Sequence, residues 1–120
     1  MNITLWLILL LLTKHFVVDF PLQLKYQLNN KGTYGHPGGI LHSGLHGLGT
    51  YVCIVWYAPI AAIVLAFVDM IVHYHIDWIK VNVNKKFNWG PTHDEFWWLF
   101  GLDQFLHALT YISIVALIVE

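Results

Sequence analysis

Arginine is absent from this 120-residue chain, lysine occurs six times, and the formal net charge is only −1. Binding to a nucleic-acid backbone needs a concentrated basic face, so no nucleic acid is expected as a partner. Cys53 is the only cysteine and lies in an apolar stretch. That excludes an intramolecular disulfide framework and every Cys-based zinc motif, and leaves the redox compartment open. No Walker or dinucleotide pattern, internal repeat, low-complexity tract or lipidation signal is present. Charge of either sign is also scarce: 11% of residues are charged and 58% hydrophobic, where an ordinary soluble domain carries about 25% charged residues. This composition predicts an integral membrane protein.

Four apolar segments, at about 3–20, 40–57, 60–82 and 93–119, are each long enough to cross a bilayer as a helix, which takes about 20 residues. The expected fold is all-α: residues 1–120 form a single four-transmembrane-helix domain, an up-down-up-down bundle with both termini on the same side. The first segment reads as a retained helix and not a signal peptide, because Lys14, His15 and Asp19 follow its apolar block without a small-residue cleavage signal. Between the helices, 21–39 reads as a long loop in which Pro37 and Gly38 form a turn, Ala58-Pro59 as a tight turn, and 83–92 as a loop stopping the third helix. Thr92 and Glu95 have capping-box spacing.

Lys25, Lys31, Lys85 and Lys86 lie in or beside the two longer linkers, with Lys14 and Lys80 near the same ends of their helices. The positive-inside bias makes loops 21–39 and 83–92 cytoplasmic and the termini periplasmic or extracellular. Trp89, Trp97 and Trp98 on one side, and Trp6, Trp56 and Tyr57 on the other, suit two interfacial belts.

Against this apolar background the polar residues carry the information. An Asp at the centre of a membrane helix costs ~2.5–3.5 kcal/mol on insertion scales. His15 and Asp19, His42 and His46, His73 and Asp77, and Asp103 and His107 are four residues apart, one pair on each expected helix. Residues i and i+4 share a helix face. The pairs alternate between C-terminal and N-terminal ends of successive helices, so an antiparallel bundle brings all eight to one side, as bundles do when they build metal sites. A hydrogen-bonded network that only joins helices explains one such pair, and explains four less well. Mixed imidazole and carboxylate ligands suit zinc first, then manganese or iron, with one or two ions held.

Asp77 or Asp103 is a candidate general base instead of a ligand. Lys80 lies on the site side and is a candidate for binding an anionic group, although snorkelling is the commoner role of a lysine at a helix end. Asp69, four residues before His73, and Gln104, beside Asp103, are candidates for supporting the ligands by hydrogen bonds. Asp69 serves equally as an interhelical hydrogen-bonding group, or as the end of a proton path. His75 faces away from the ligand stripe, and His36 and His93 read as linker histidines. Gly35, Gly38, Gly39, Gly44, Gly47 and Gly49 crowd the second helix, where they allow close packing around its His pair.

The ordered set His15-Phe-Val-Val-Asp19-Phe-Pro-Leu-Gln23, His42-Ser-Gly-Leu-His46, His73-Tyr-His-Ile-Asp77-Trp-Ile-Lys80 and Asp103-Gln104-Phe-Leu-His107 resembles a family of small bacterial and phage integral membrane proteins of unknown function. That family is in turn similar to the YdjM-type inner-membrane metal-dependent hydrolases. The resemblance covers nearly the whole chain. It implies a bacterial inner-membrane location and a metal site of His15, Asp19, His42, His46, His73, Asp77, Asp103 and His107, with Gln23 and Lys80 at motif positions of unassigned role.

The function expected is a membrane-embedded metal-dependent hydrolase at the cytoplasmic face, acting on a lipid or lipid-linked substrate, with the lipid bilayer as its partner and room for a homo-oligomer. The alternatives are a metal-ion or proton transporter, or a non-catalytic membrane subunit that binds a larger partner. The almost wholly apolar stretches Leu5 to Leu12 and Ile112 to Val119 disfavour a continuous ion pathway. A haem carrier ranks last, since paired His and Asp suit an ion better than a flat macrocycle.

Overall fold

Each helix begins and ends where local chemistry dictates. In the computed structural model, which describes residues 1–120, α1 spans Ile3–Asp19 and is capped by the Asn2 side chain, which accepts a hydrogen bond from the Leu5 amide. The 21–39 linker is not all loop: it contains a short helix α2, Lys25–Asn30. With only six residues and no apolar period, α2 carries no signal that hydropathy could register. Helix α3 spans Pro37–Ile54, with Pro37 inside its first turn and the His36 ring nitrogen accepting from the Gly38 amide. Pro37 is therefore a helix-opening residue, where its missing N–H costs nothing, and not part of a turn before the helix.

Helix α4, Pro59–Phe87, runs five residues past the expected stop and ends at Asn88, which takes the left-handed conformation with φ 54°. Helix α5 spans Asp94–Val119 behind His93, without any side-chain cap. The expected Thr92/Glu95 capping box does not form; the Thr92 hydroxyl lies nearest the His93 ring.

The chain is thus all-helical, with five helices and no strand. Helices α1, α3, α4 and α5 pack in a closed ring in which α1 touches α3 and α5, and α4 touches α3 and α5; α2 lies on α3. The C-terminal ends of α1 and α4 meet the N-terminal halves of α3 and α5, so successive long helices are antiparallel. Two of them, α4 with 29 residues and α5 with 26, have the length and mean hydropathy (1.8 and 1.7) of a membrane crossing. Helices α1 and α3, with 17 and 18 residues, are about 26–27 Å long.

Burial is inverted relative to a water-soluble bundle. Of 27 buried residues, fourteen are polar or charged and nine are hydrophobic, while the outer surface exposes Leu, Ile, Val, Phe and Trp along every long helix. The hydrophobic part of the core, Leu7, Leu11, Ile54, Ala62, Leu65, Tyr111, Ile114 and Val115, closes one end of the bundle, and the polar residues fill the other. Two glycines make this packing tight enough. A Cβ on Gly47 would lie 2.9 Å from the Ala66 carbonyl oxygen across the α3–α4 contact, and one on Gly49 would lie 2.5 Å from the Lys14 stem. Gly38 and Gly39 sit close against the backbone of Tyr26 and Lys31, whereas Gly44 and Gly35 border open space.

Candidate metal centre

The four i, i+4 pairs converge as antiparallel packing requires. Asp19 from α1 and Asp77 from α4 face each other across the imidazoles of His42 and His46 from α3, His73 from α4 and His107 from α5. All six residues are buried, none more than 8% exposed. Asp19 Oδ1 lies 2.8 Å from His46 Nε2, 3.1 Å from His42 Nε2 and 3.5 Å from His73 Nε2. Asp77 Oδ2 lies 3.1 Å from His73 Nε2 and 3.3 Å from His42 Nε2, and its Oδ1 is 3.5 Å from His107 Nε2. The rings of His46, His73 and His107 stack, with centroids 3.5 and 3.8 Å apart.

Two overlapping sets could hold a metal ion: Asp19, His42, His46 and His73, and His73, Asp77 and His107. Ligands placed tetrahedrally at ~2.0–2.2 Å from zinc are roughly 3.4 Å from each other, close to the separations above.

The hydrogen bonds around His42 assign its tautomer. Its Nδ1–H donates to Gln27 Oε1 at 3.0 Å, and Gln27 is held in that orientation because its amide donates to the Leu22 carbonyl. His42 Nε2 is left as a bare lone pair facing two carboxylates. It has no hydrogen-bond partner, and neither does His73 Nε2 nor either oxygen of Asp77. A single added proton would satisfy one of these contacts. Several buried lone pairs aimed at one place form a donor set that could hold a metal ion. The mixed imidazole and carboxylate chemistry of this set fits a metal ion.

The remaining predicted residues flank this centre. His15 donates through Nε2 to Gln104 Oε1 at 2.8 Å and lies 3.1 Å from Asp19 Oδ2, while its Nδ1 is 2.7 Å from the Tyr111 hydroxyl. His15 thus borders the converging groups and belongs to neither set. Asp103 accepts from His107 Nε2 at 3.0 Å, Lys80 Nζ at 3.1 Å and the Gln104 amide at 3.0 Å. Lys80 does not snorkel: it bends inward onto Asp103, and its side chain is 14% exposed. Gln23 donates to the Asp19 carbonyl and accepts from Lys31. His75 lies outside, bonded to Tyr34 and to the Ile71 carbonyl. His36 caps α3, and His93 is exposed.

Asp69 lies one turn deeper and bonds Lys14, not a ligand. Lys14 Nζ is 3.0 Å from Asp69 Oδ2, 3.2 Å from His46 Nδ1 and 3.2 Å from the Tyr111 hydroxyl, and Thr50 donates to Asp69 at 2.6 Å. Lys14 is therefore an interior cation and not one of the interfacial lysines. Sequence reasoning missed Lys14, Thr50 and Tyr111 here, and Gln27 and Lys31 on the loop side. Two carried a usable signal: Thr50 continues the His42–His46 ladder by four residues, and Tyr111 continues Asp103–His107. Lys14 is off its ladder and arrives by its long stem. Gln27 and Lys31, whose Nζ is 3.6 Å from Asp77, arrive through α2.

Comparison with known proteins adds the family. No curated protein and no solved structure matches the chain, so these comparisons do not support the expected similarity to the YdjM-type hydrolases. The family DUF3307, whose description is "Protein of unknown function", matches residues 7–120, and the chain belongs to it.

Proposed function

We propose that this chain crosses the membrane four times and holds one or two divalent ions, zinc first, for hydrolysis at the cytoplasmic face. The observation that carries the reading is the convergence of unpartnered His42 Nε2, His73 Nε2 and both Asp77 oxygens beside Asp19, inside a bundle whose surface is apolar. The ion would rest on Asp19, His42, His46 and His73. Asp77 has one oxygen on the His42/His73 side and the other toward His107, and with His73 and His107 it would hold a second ion.

A bound divalent ion supplies a water nucleophile usable near neutral pH and stabilises developing negative charge. The protein's own residues divide the other tasks. With a single ion on Asp19, His42, His46 and His73, Asp77, which has no hydrogen bond on either oxygen, would be the general base instead of a ligand. Asp103 already accepts from His107, Lys80 and Gln104, and orients them. Five of the six lysines lie in or beside the two linkers, which supports a cytoplasmic site end by the positive-inside bias.

A transporter is less well supported. Beyond the Lys14–Asp69 pair the bundle is sealed by Leu7, Leu11, Ile54, Leu65 and Ile114, where an ion path would need polar residues continuing to the far face. The test is metal content of detergent-purified protein by elemental analysis, followed by turnover of ester and phosphodiester substrates. One or two equivalents of metal, lost in His42→Ala and His73→Ala, are expected. Absence of stoichiometric metal, or equal metal in the variants, refutes the site; metal without turnover above the variants refutes the hydrolase.

A further inference from the structure

A cavity of about 580 Å³ opens at the site end of the bundle, within the size range of small-molecule pockets. Its floor includes Asp19 and Gln104, so it leads directly to the candidate metal centre. Its other residues include lysines, phenylalanines and the amides of Gln23, Asn84 and Asn88. Lys31, Lys80 and Lys85 line it together with Asp19, Lys31 and Lys80 also facing Asp77 and Asp103 at 3.6 and 3.1 Å, while Phe20, Phe96 and Phe100 add apolar surface.

The two inner lysines are held in place. Lys31 donates to Gln23 at 2.9 Å and is 6% exposed, and Lys80 donates to Asp103 at 3.1 Å. An ammonium has three donors, and each of these makes one hydrogen bond, so further N–H groups remain for a ligand. Lys85, exposed on the last turn of α4, supplies the third charge at the rim. Fixed cations beside an aromatic wall, at the end of an apolar bundle, match a molecule with an anionic head and an apolar tail. A compact anion with several acceptor oxygens suits three separate ammonium groups better than a single carboxylate does.

The geometry points to a phosphate-bearing amphiphile as the occupant of this cavity, with the phosphate among Lys31, Lys80 and Lys85 and the apolar part along Phe20, Phe96 and Phe100. This deepens the hydrolase reading and rests on it only for the reaction. There, water would add to phosphorus, the P–O bond to the alcohol would break, and the proton from water would end on the departing oxygen.

Binding tests the inference separately from turnover. Metal-depleted protein in phosphatidylcholine nanodiscs is titrated with phosphatidic acid, with diacylglycerol, which lacks the phosphate, and with glycerol 3-phosphate, which lacks the tail. Phosphatidic acid is expected to bind at least tenfold more tightly than either. Lys80→Met and Lys85→Met should each weaken it several-fold, Lys80→Arg should retain it, and Lys86→Met, outside the cavity, should leave it unchanged. Equal binding of diacylglycerol overturns the anion site, and equal binding of glycerol 3-phosphate overturns the amphiphile. Unchanged affinity in folded Lys80→Met and Lys85→Met overturns the lysine assignment. Binding without hydrolysis by the metal-loaded protein would sink only the hydrolase.

Discussion

Replacing Lys14 by Met tests the most costly feature of the core. Lys14 and Asp69 form an ion pair at 3.0 Å with side chains 4% and 1% exposed. Two unit charges at that distance attract by about 5–6 kcal/mol at an effective dielectric constant of ~20. Desolvation removes several kcal/mol per ion, so the intact pair contributes little net stability, but removing one partner strands a buried charge at a cost of about 3–5 kcal/mol. Lys14→Met and Asp69→Leu should therefore each lower unfolding free energy by about that much, whereas the double variant should fall within about 1–2 kcal/mol of wild type or exceed it. Equilibrium unfolding in mixed micelles, followed by the fluorescence of the six tryptophans, gives all four corners of the cycle. Single variants that each lose under about 1 kcal/mol, or a double variant equal to their sum, would refute the pairing.

Gln27→Ala should weaken metal binding about 10–100-fold without removing a ligand, because Gln27 is what fixes the His42 tautomer; competition with a zinc-sensitive dye reads this directly. Gly47→Ala should destabilise the fold by about 1–3 kcal/mol, since the new methyl would lie 2.9 Å from the Ala66 carbonyl oxygen and 3.1 Å from Met70 Cβ, and thermal unfolding in detergent measures it. Chelation of the metal should lower the melting temperature, and re-addition at about a thousand times the dissociation constant should restore roughly 4 kcal/mol. An unchanged melting temperature after verified metal removal would contradict a site that couples four helices.

The candidate site was legible because helical geometry is local. A side chain four residues along a helix returns to the same face whatever the rest of the chain does, so His15/Asp19, His42/His46, His73/Asp77 and Asp103/His107 announced one shared face per helix. The roles within that set were not legible. His15 and Asp103 lie beside the converging atoms and bond their neighbours, a distinction set by how each helix is rotated in the bundle. Lys80 has the sequence context of a snorkelling lysine, and only the approach of α5 gives it Asp103 to bond.

Spacing and composition by themselves determined the all-helical class, the four long apolar segments and the end of the bundle where the polar pairs would gather, because each depends on residues within a turn or two of one another. The tertiary structure alone decided which atoms meet. It brought Lys14 to Asp69 across 55 positions of sequence and Tyr111 to His15 across 96, and through α2 it carried Gln27 and Lys31 onto His42 and Asp77. Contacts of that separation have no local signature. They are selected by the cost of leaving a charge or a hydrogen-bonding group unpaired in a dry core, and that cost is defined only once the helices have packed.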